Sequence, residues 1–340
     1  VFDETLLDDP EALQSVDDDL RAIAGWGAQV RLAHGAADLA LSRIPGRAGP
    51  RPRALVAAGP DGRLLRTVLE RVCPVPFVAW PHAGLPGWAG PLDLVVVVSA
   101  RGAGSPADEA TVAQAVHRGC DLLISCPDDS PLAATAAGAG TLLPAGSRDP
   151  LALSVPVLTA LHEMGLGPQV GAEPVAEALD DVAKRCGPGV PIDANPAKEL
   201  ALVLADHVPL LWGGSPLASR AARRVAEELR AATGKPAVAG TVSQIEPLLA
   251  SAPEHDIFAD PFDVDADDAA GATPPALVFL DDGDPSSQDA QERLEAAARA
   301  RDVRTHTVTA DDGPDVARFA TLLAIGRFAA AYLAVGRAAS

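Results

Sequence analysis

Short, continuously apolar runs recur along this chain, separated by segments of helical period. In the first half they fall at 54–58, 75–79, 94–98, 122–125 and 141–143, with Leu94-Val95-Val96-Val97-Val98 the purest. Segments 107–118 and 131–137 between them have helical period. A strand that is apolar on both sides of its pleat cannot face water on either, and strands joined through helices run parallel. The alternation restarts after a helical stretch at 172–186 and a Pro/Gly loop at 186–191. Its second series places strands at 208–212, 237–242, 276–280 and 304–308, with helices at 216–232, 241–250 and 286–301. A closing helix at 314–336 is apolar nearly all round, which predicts burial in a core or an interface. Before the first strand, Leu13, Val16, Leu20, Ile23, Val30 and Ala37 keep helical spacing between residues 8 and 41.

The expected fold is therefore α/β, with two lobes, each a parallel sheet flanked by helices in three αβα layers, preceded by N-terminal helices. The expected boundaries are 1–165 for the N-terminal helices and first lobe, 166–194 for a helical linker, and 195–340 for the second lobe. A length of 340 residues fits about two domains.

Charge narrows the partners. The chain carries 46 acidic and 27 basic residues, a formal net charge of −19. Such a field repels phosphate backbones and anionic lipid, so neither nucleic acid nor a membrane surface is expected as a partner. An anionic metabolite needs a local arginine or helix-terminus site working against that field. No uninterrupted apolar run approaches the ~18 residues of a membrane span, and the acidic start Val1-Phe2-Asp3-Glu4 predicts no signal peptide. Cys73, Cys120, Cys126 and Cys186 form no CxxC pair; they are expected to be reduced and mostly buried, in a cytoplasmic protein. The Asp/Pro/Ala-rich stretch 253–275 reads as a solvated loop. Its Asp263, Asp265 and Asp267 lack the glycine and glutamate of a calcium loop.

Seven histidines are scattered without HxxxH or HExxH spacing, so no metal is expected, and no motif calls for a cofactor. Three glycine-bearing turns remain, each after a strand, where open α/β sheets place ligands. In Trp212-Gly213-Gly214-Ser215, Ser215 either simply caps the helix opening at Pro216 or joins free N–H groups in an anion pocket. Ser99-Ala100-Arg101-Gly102-Ala103-Gly104-Ser105 combines hydroxyls with a guanidinium, a phosphate-binding set, or else is an ordinary loop capped by Ser105. Ala58-Gly59-Pro60-Asp61-Gly62-Arg63 is the third.

The chain resembles the sugar isomerase (SIS) superfamily, in particular its bifunctional phosphoglucose/phosphomannose isomerases. The sharpest match is Asn195-Pro196-Ala197-Lys198-Glu199-Leu200-Ala201 followed by Val208-Pro209-Leu210-Leu211-Trp212-Gly213-Gly214-Ser215, where that family opens its second lobe. Val97-Val98-Ser99-Ala100-Arg101-Gly102 matches its phosphate loop, and Ile325-Gly326-Arg327-Phe328 and Ala331-Tyr332-Leu333 match its closing helix. The resemblance implies a homodimer that binds a sugar phosphate, with aldose–ketose isomerase activity, or else a catalytically inactive relative that senses a sugar phosphate or supports a partner enzyme. With the turn chemistry above, the expected phosphate contacts are Ser99, Arg101, Gly102 and Ser105, with Gly59, a second candidate pocket at Gly213, Gly214 and Ser215, and Arg148, displaced by about two residues from the family's arginine. Departures accompany it: Asp61 replaces a serine, and Arg101 another. The family's catalytic glutamate and ring-opening histidine find only Glu246 and His255 nearby, both out of register, and no lysine follows Lys235.

Overall fold

The computed structural model describes residues 2–44, 50–100, 105–136, 138–252, 273–310 and 312–337. Two compact units emerge, one of residues 25–177 and one of residues 1–24 with 178–340.

In the first unit, α3 (Trp26–Leu41) precedes β1 (Leu55–Ala58), α4 (Arg63–Leu69), β2 (Phe77–Trp80) and β3 (Leu94–Val98). Then follow α5 (Pro106–His117), β4 (Asp121–Pro127), α6 (Pro131–Ala136), β5 (Thr141–Ala145) and α7 (Pro150–Glu163). The five strands form one parallel sheet in the order β2-β1-β3-β4-β5. One face puts Val95, Val97, Ile124 and Cys126 against Val112 and Ala115 of α5 and Leu132 of α6. The alternate residues, Val96, Val98 and Leu123, are equally buried beneath the helices of the other face. Two covered faces are what a continuously apolar strand requires.

The second unit opens with α1 (Pro10–Leu13) and α2 (Asp17–Ala24). After α8 (Ala172–Cys186), within which the units divide, come α9 (Pro196–Leu204), β6 (Val208–Gly213), α10 (Pro216–Thr233), β7 (Val238–Ala239) and α11 (Val242–Ala250). It closes with β8 (Pro275–Asp281), α12 (Gln288–Arg299), β9 (Arg304–Thr309) and α13 (Asp315–Arg337). Its four strands are parallel in the order β7-β6-β8-β9. Trp212 and Phe279 meet edge to face on the side covered by α11 and α12, with Ile245, Leu249 and Leu294. Helices α10 and α13 pack together in this unit.

Three expectations need correction. The N-terminal segment to residue 24 packs with the second lobe, not the first. Leu7, Leu13, Leu20 and Ile23 bury their side chains in that unit, and the Asp3 N–H donates to the Gly336 carbonyl at 2.8 Å. Helical spacing alone does not say which lobe receives an apolar stripe. The long N-terminal helix is also broken, by a 3₁₀ turn at Gln14–Val16 and again at Gly25. Strand β7 is only two residues long, because Thr241 turns away to cap α11 in a reciprocal box with Gln244.

Helix α13 is the one described helix long and apolar enough to cross a bilayer, and 83% of its most apolar window is buried inside the protein. Its all-round apolarity serves a core, as its sequence predicts.

Candidate functional site

Both lobes place a serine at the carboxyl edge of the sheet, and in both a buried aspartate takes its hydroxyl. In the second lobe the polypeptide leaves β6 through Gly213 and Gly214. A Cβ on Gly213 would lie 2.2 Å from the Ala218 carbonyl carbon, and one on Gly214 would lie 2.0 Å from Ser287 Cβ. Only glycine permits this approach of the first turn of α10 and of the segment after β8. Ser215 then caps α10: its Oγ accepts the Ala218 N–H at 2.9 Å and donates to Asp282 Oδ2 at 2.5 Å. Ser215 and Asp282 are both buried.

In the first lobe Ser99 Oγ donates to Asp108 Oδ2 at 2.7 Å, and both residues are buried. Asp108 sits in the first turn of α5, where the helix terminus favours a negative charge. Gly59, at φ +86°, lies so close that a Cβ there would meet Asp108 Oδ1 at 2.8 Å. That Oδ1 is buried without a hydrogen-bond partner among the described residues. Nearby, the Ala100 N–H donates to Asp61 Oδ2 at 3.3 Å. Ser105 caps α5 by accepting the Asp108 N–H. Gly59, Ser99 and Ser105 are thus gathered at one edge, together with two carboxylates.

Arg101 and Gly102 lie outside the described residues, as does His255. Arg148 is exposed and pairs with Asp129 at 2.8 Å. Glu246, one turn into α11, is held by Arg293 of α12 at 2.7 Å. A base for aldose–ketose isomerisation needs its oxygen within about 3 Å of the substrate's proton-bearing carbon, and the Glu246 carboxylate is instead engaged in a helix–helix ion pair.

A cleft of about 380 Å³ opens at the carboxyl edge of the second sheet, and its walls carry Asp281, Asp284, Glu292 and Glu295 with Ser287 and Gln291. Among the described residues that line it there is no Lys or Arg. Among the described residues no group of His, Cys, Asp or Glu is arranged to hold a metal ion.

Sequence reading missed Asp108 and Asp282. Asp108 stands three residues after Ser105, the spacing of a helix cap, which hid its second role toward Ser99. Asp282 lies 67 residues beyond its serine, and no local spacing could pair them. Lys198, in the sharpest family match, is a clamp within the second unit. Its fully buried ammonium donates to Asp8 Oδ1 at 2.7 Å and to the carbonyls of Pro188 and Val190 at 2.9 and 2.8 Å, and it lies over the Tyr332 ring. Tyr332 donates to the Cys186 carbonyl at 2.7 Å. Burial pushes the Tyr332 phenol up and the Cys186 thiol up to about 11, so neither ionises near neutral pH. All four cysteines are free, three of them buried.

Two lobes of parallel sheet each turn through a serine-bearing loop into a helix at the carboxyl edge. Residues 193–339 match the bacterial phospho-glucose isomerase C-terminal SIS domain. No curated protein matches the chain by sequence. Among solved structures, a glucose-6-phosphate isomerase-like protein from Thermus thermophilus is 19% identical, with 97% of this chain and 92% of that one covered and a TM-score of 0.54. The tagatose-6-phosphate ketose/aldose isomerase of Escherichia coli is 15% identical over 94% of this chain and 92% of that one, TM-score 0.64. A glucose-6-phosphate isomerase from Chlamydia trachomatis is 13% identical over 90% of this chain and 68% of that one, TM-score 0.59. At these identities the likeness is one of fold.

Proposed function

We propose that this chain is a catalytically inactive SIS protein of hexose-phosphate metabolism, cytoplasmic, acting by supporting a partner enzyme rather than by turnover. The observation that carries this reading is the Ser215–Asp282 bond, repeated in kind by Ser99–Asp108. A serine hydroxyl that would serve a phosphate oxygen is already donated to a buried carboxylate. The negative charge of that carboxylate repels an arriving dianion. The acid-lined cleft beside Ser287 adds to the repulsion, and the Glu246 carboxylate, the base that the resemblance offers, is engaged by Arg293.

The test is direct. Purified protein is incubated with fructose 6-phosphate while glucose 6-phosphate and mannose 6-phosphate are followed, and its melting temperature is read with and without the sugar phosphate. The expected result is neither turnover nor a shift. Turnover abolished by Glu246→Gln overturns the proposal in favour of an isomerase. Stabilisation without turnover moves the function to sensing a sugar phosphate.

A further inference from the structure

The first 24 residues hold eight acidic side chains against the single base Arg21, a dense share of the chain's net −19. With the turn after α8 they wall a groove of about 420 Å³, within the range of about 300–1,000 Å³ typical of ligand sites. Leu13 and Leu20, largely buried, line it from the core side, and Pro10, Pro188 and Pro191 line it as exposed rings. Asp8 and Asp17 add half-exposed carboxylates to this apolar lining. Beside them in sequence, Glu11, Asp18 and Asp19 are exposed and hold no ion pair among the described residues. The walls are braced from beneath. Lys198 bonds Asp8 on one wall and the Pro188 and Val190 carbonyls on the other, and the Asn195 amide holds the Gly187 carbonyl at 3.1 Å. Proline fixes its own φ, so the groove is formed before anything enters it. Gly189 also lines it, and a Cβ there would meet nothing within 4 Å.

We infer that this groove docks a basic amphipathic helix of a partner protein. Apolar side chains of that helix seat against Leu13, Leu20 and the prolines, and its Lys or Arg side chains reach Asp8, Asp17 and the acids beside them. Charge complementarity selects the occupant. A second copy brings the same acidic segment and is repelled, as is any anion. A purely apolar helix leaves the carboxylates unanswered, and a small inorganic cation leaves the leucine and proline lining uncovered. A basic helix with leucines at intervals of three and four residues answers both, the usual manner in which a helix enters a groove. The prior bracing by Lys198 and the prolines lowers the ordering cost of binding. The inference names the kind of partner that the proposed support of an enzyme requires, and it rests on that reading.

Fluorescence anisotropy on the full chain tests it, with a labelled synthetic helical peptide of Leu, Lys and Ala as the probe. The wild type is expected to bind this peptide, and to bind about 10-fold more weakly the versions with Glu for Lys or Ser for Leu. Gly189→Leu separates folding from docking. The space around Gly189 is open, so the variant keeps its circular dichroism and melting temperature, while the new side chain fills the groove and weakens binding about 10-fold. Asp17→Asn/Asp18→Asn/Asp19→Asn is expected to weaken binding and to flatten its dependence on salt. No binding by the wild type, or binding that Gly189→Leu leaves unchanged, overturns the inference; the latter result is charge attraction without a groove. Equal binding of the Glu peptide overturns it as well. Sugar-phosphate turnover beside intact peptide binding overturns the proposed function instead, so the two failures are told apart.

Discussion

Ser215 Oγ lies 2.5 Å from Asp282 Oδ2 and 2.9 Å from the Ala218 N–H, so a single hydroxyl both holds a buried carboxylate and caps an eighteen-residue helix. It joins three elements, β6, α10 and the end of β8. Among the described residues Ser105, at the matching cap of α5, only accepts, and its partner is the Asp108 N–H.

That difference sets an expected order of stabilities. Ser215→Ala removes the cap and leaves the Asp282 carboxylate buried without its donor, an expected loss of about 3 kcal/mol. Ser105→Ala removes a cap alone, an expected loss of about 1 kcal/mol. Urea denaturation of the two variants measures both, and equal losses would mean that Asp282 draws nothing from Ser215.

The seam between α10 and α13 depends on the absence of one side chain. A Cβ on Gly326 would lie 2.4 Å from Val225 Cγ2. Gly326→Ala is expected to destabilise by about 2 kcal/mol through overpacking. Adding Val225→Ala should recover part of that loss. Additive losses in the double variant would show that the two residues do not share the space.

Stability at acid pH should follow Arg53 and Asp93. Arg53 donates to both Asp93 oxygens, at 2.9 and 2.5 Å, while the Asp93 side chain is fully buried and also accepts the Gly90 N–H. Burial by itself would raise the Asp93 carboxyl, but the Arg53 and Gly90 hydrogen bonds and the Arg53 charge outweigh it and hold it below the usual range. A carboxyl lowered in the folded state stabilises fully above its unfolded value of about 3.9, and the stabilisation is lost as pH falls through the lower folded value. Arg53→Met is expected to lower stability at neutral pH, because it leaves the buried Asp93 carboxylate without its arginine partner. Urea denaturation as a function of pH should show the gap to wild type closing below about pH 4; a gap independent of pH would remove Asp93 as its source.

Lys198 ties the N-terminal segment to its unit. Lys198→Met leaves Asp8 and the carbonyls of Pro188 and Val190 without their shared donor. The expected loss is about 3 kcal/mol, together with faster proteolytic cleavage between residues 2 and 24. If hydrogen exchange there stays at the wild-type rate, the Asp8 contact does not anchor the segment.

The sequence by itself determined the architecture, because continuous apolar runs such as 94–98 have no stable place except in a parallel sheet covered on both sides. It also placed the caps Ser105 and Ser215, since capping is a relation over three residues, and 195–201 with 208–215 carried the resemblance to the SIS superfamily, within the stretch that matches an SIS domain. What only the tertiary structure decided are relations across long separations. Asp282 meets Ser215 across 67 residues and Asp8 meets Lys198 across 190, and nothing in local spacing encodes such meetings. Asp108 reads locally as a helix-turn acid, and only the folded turn brings it to Ser99. The N-terminal stripe was legible as apolar, but its lobe was not, because apolar burial is non-directional and any sufficiently greasy groove satisfies it.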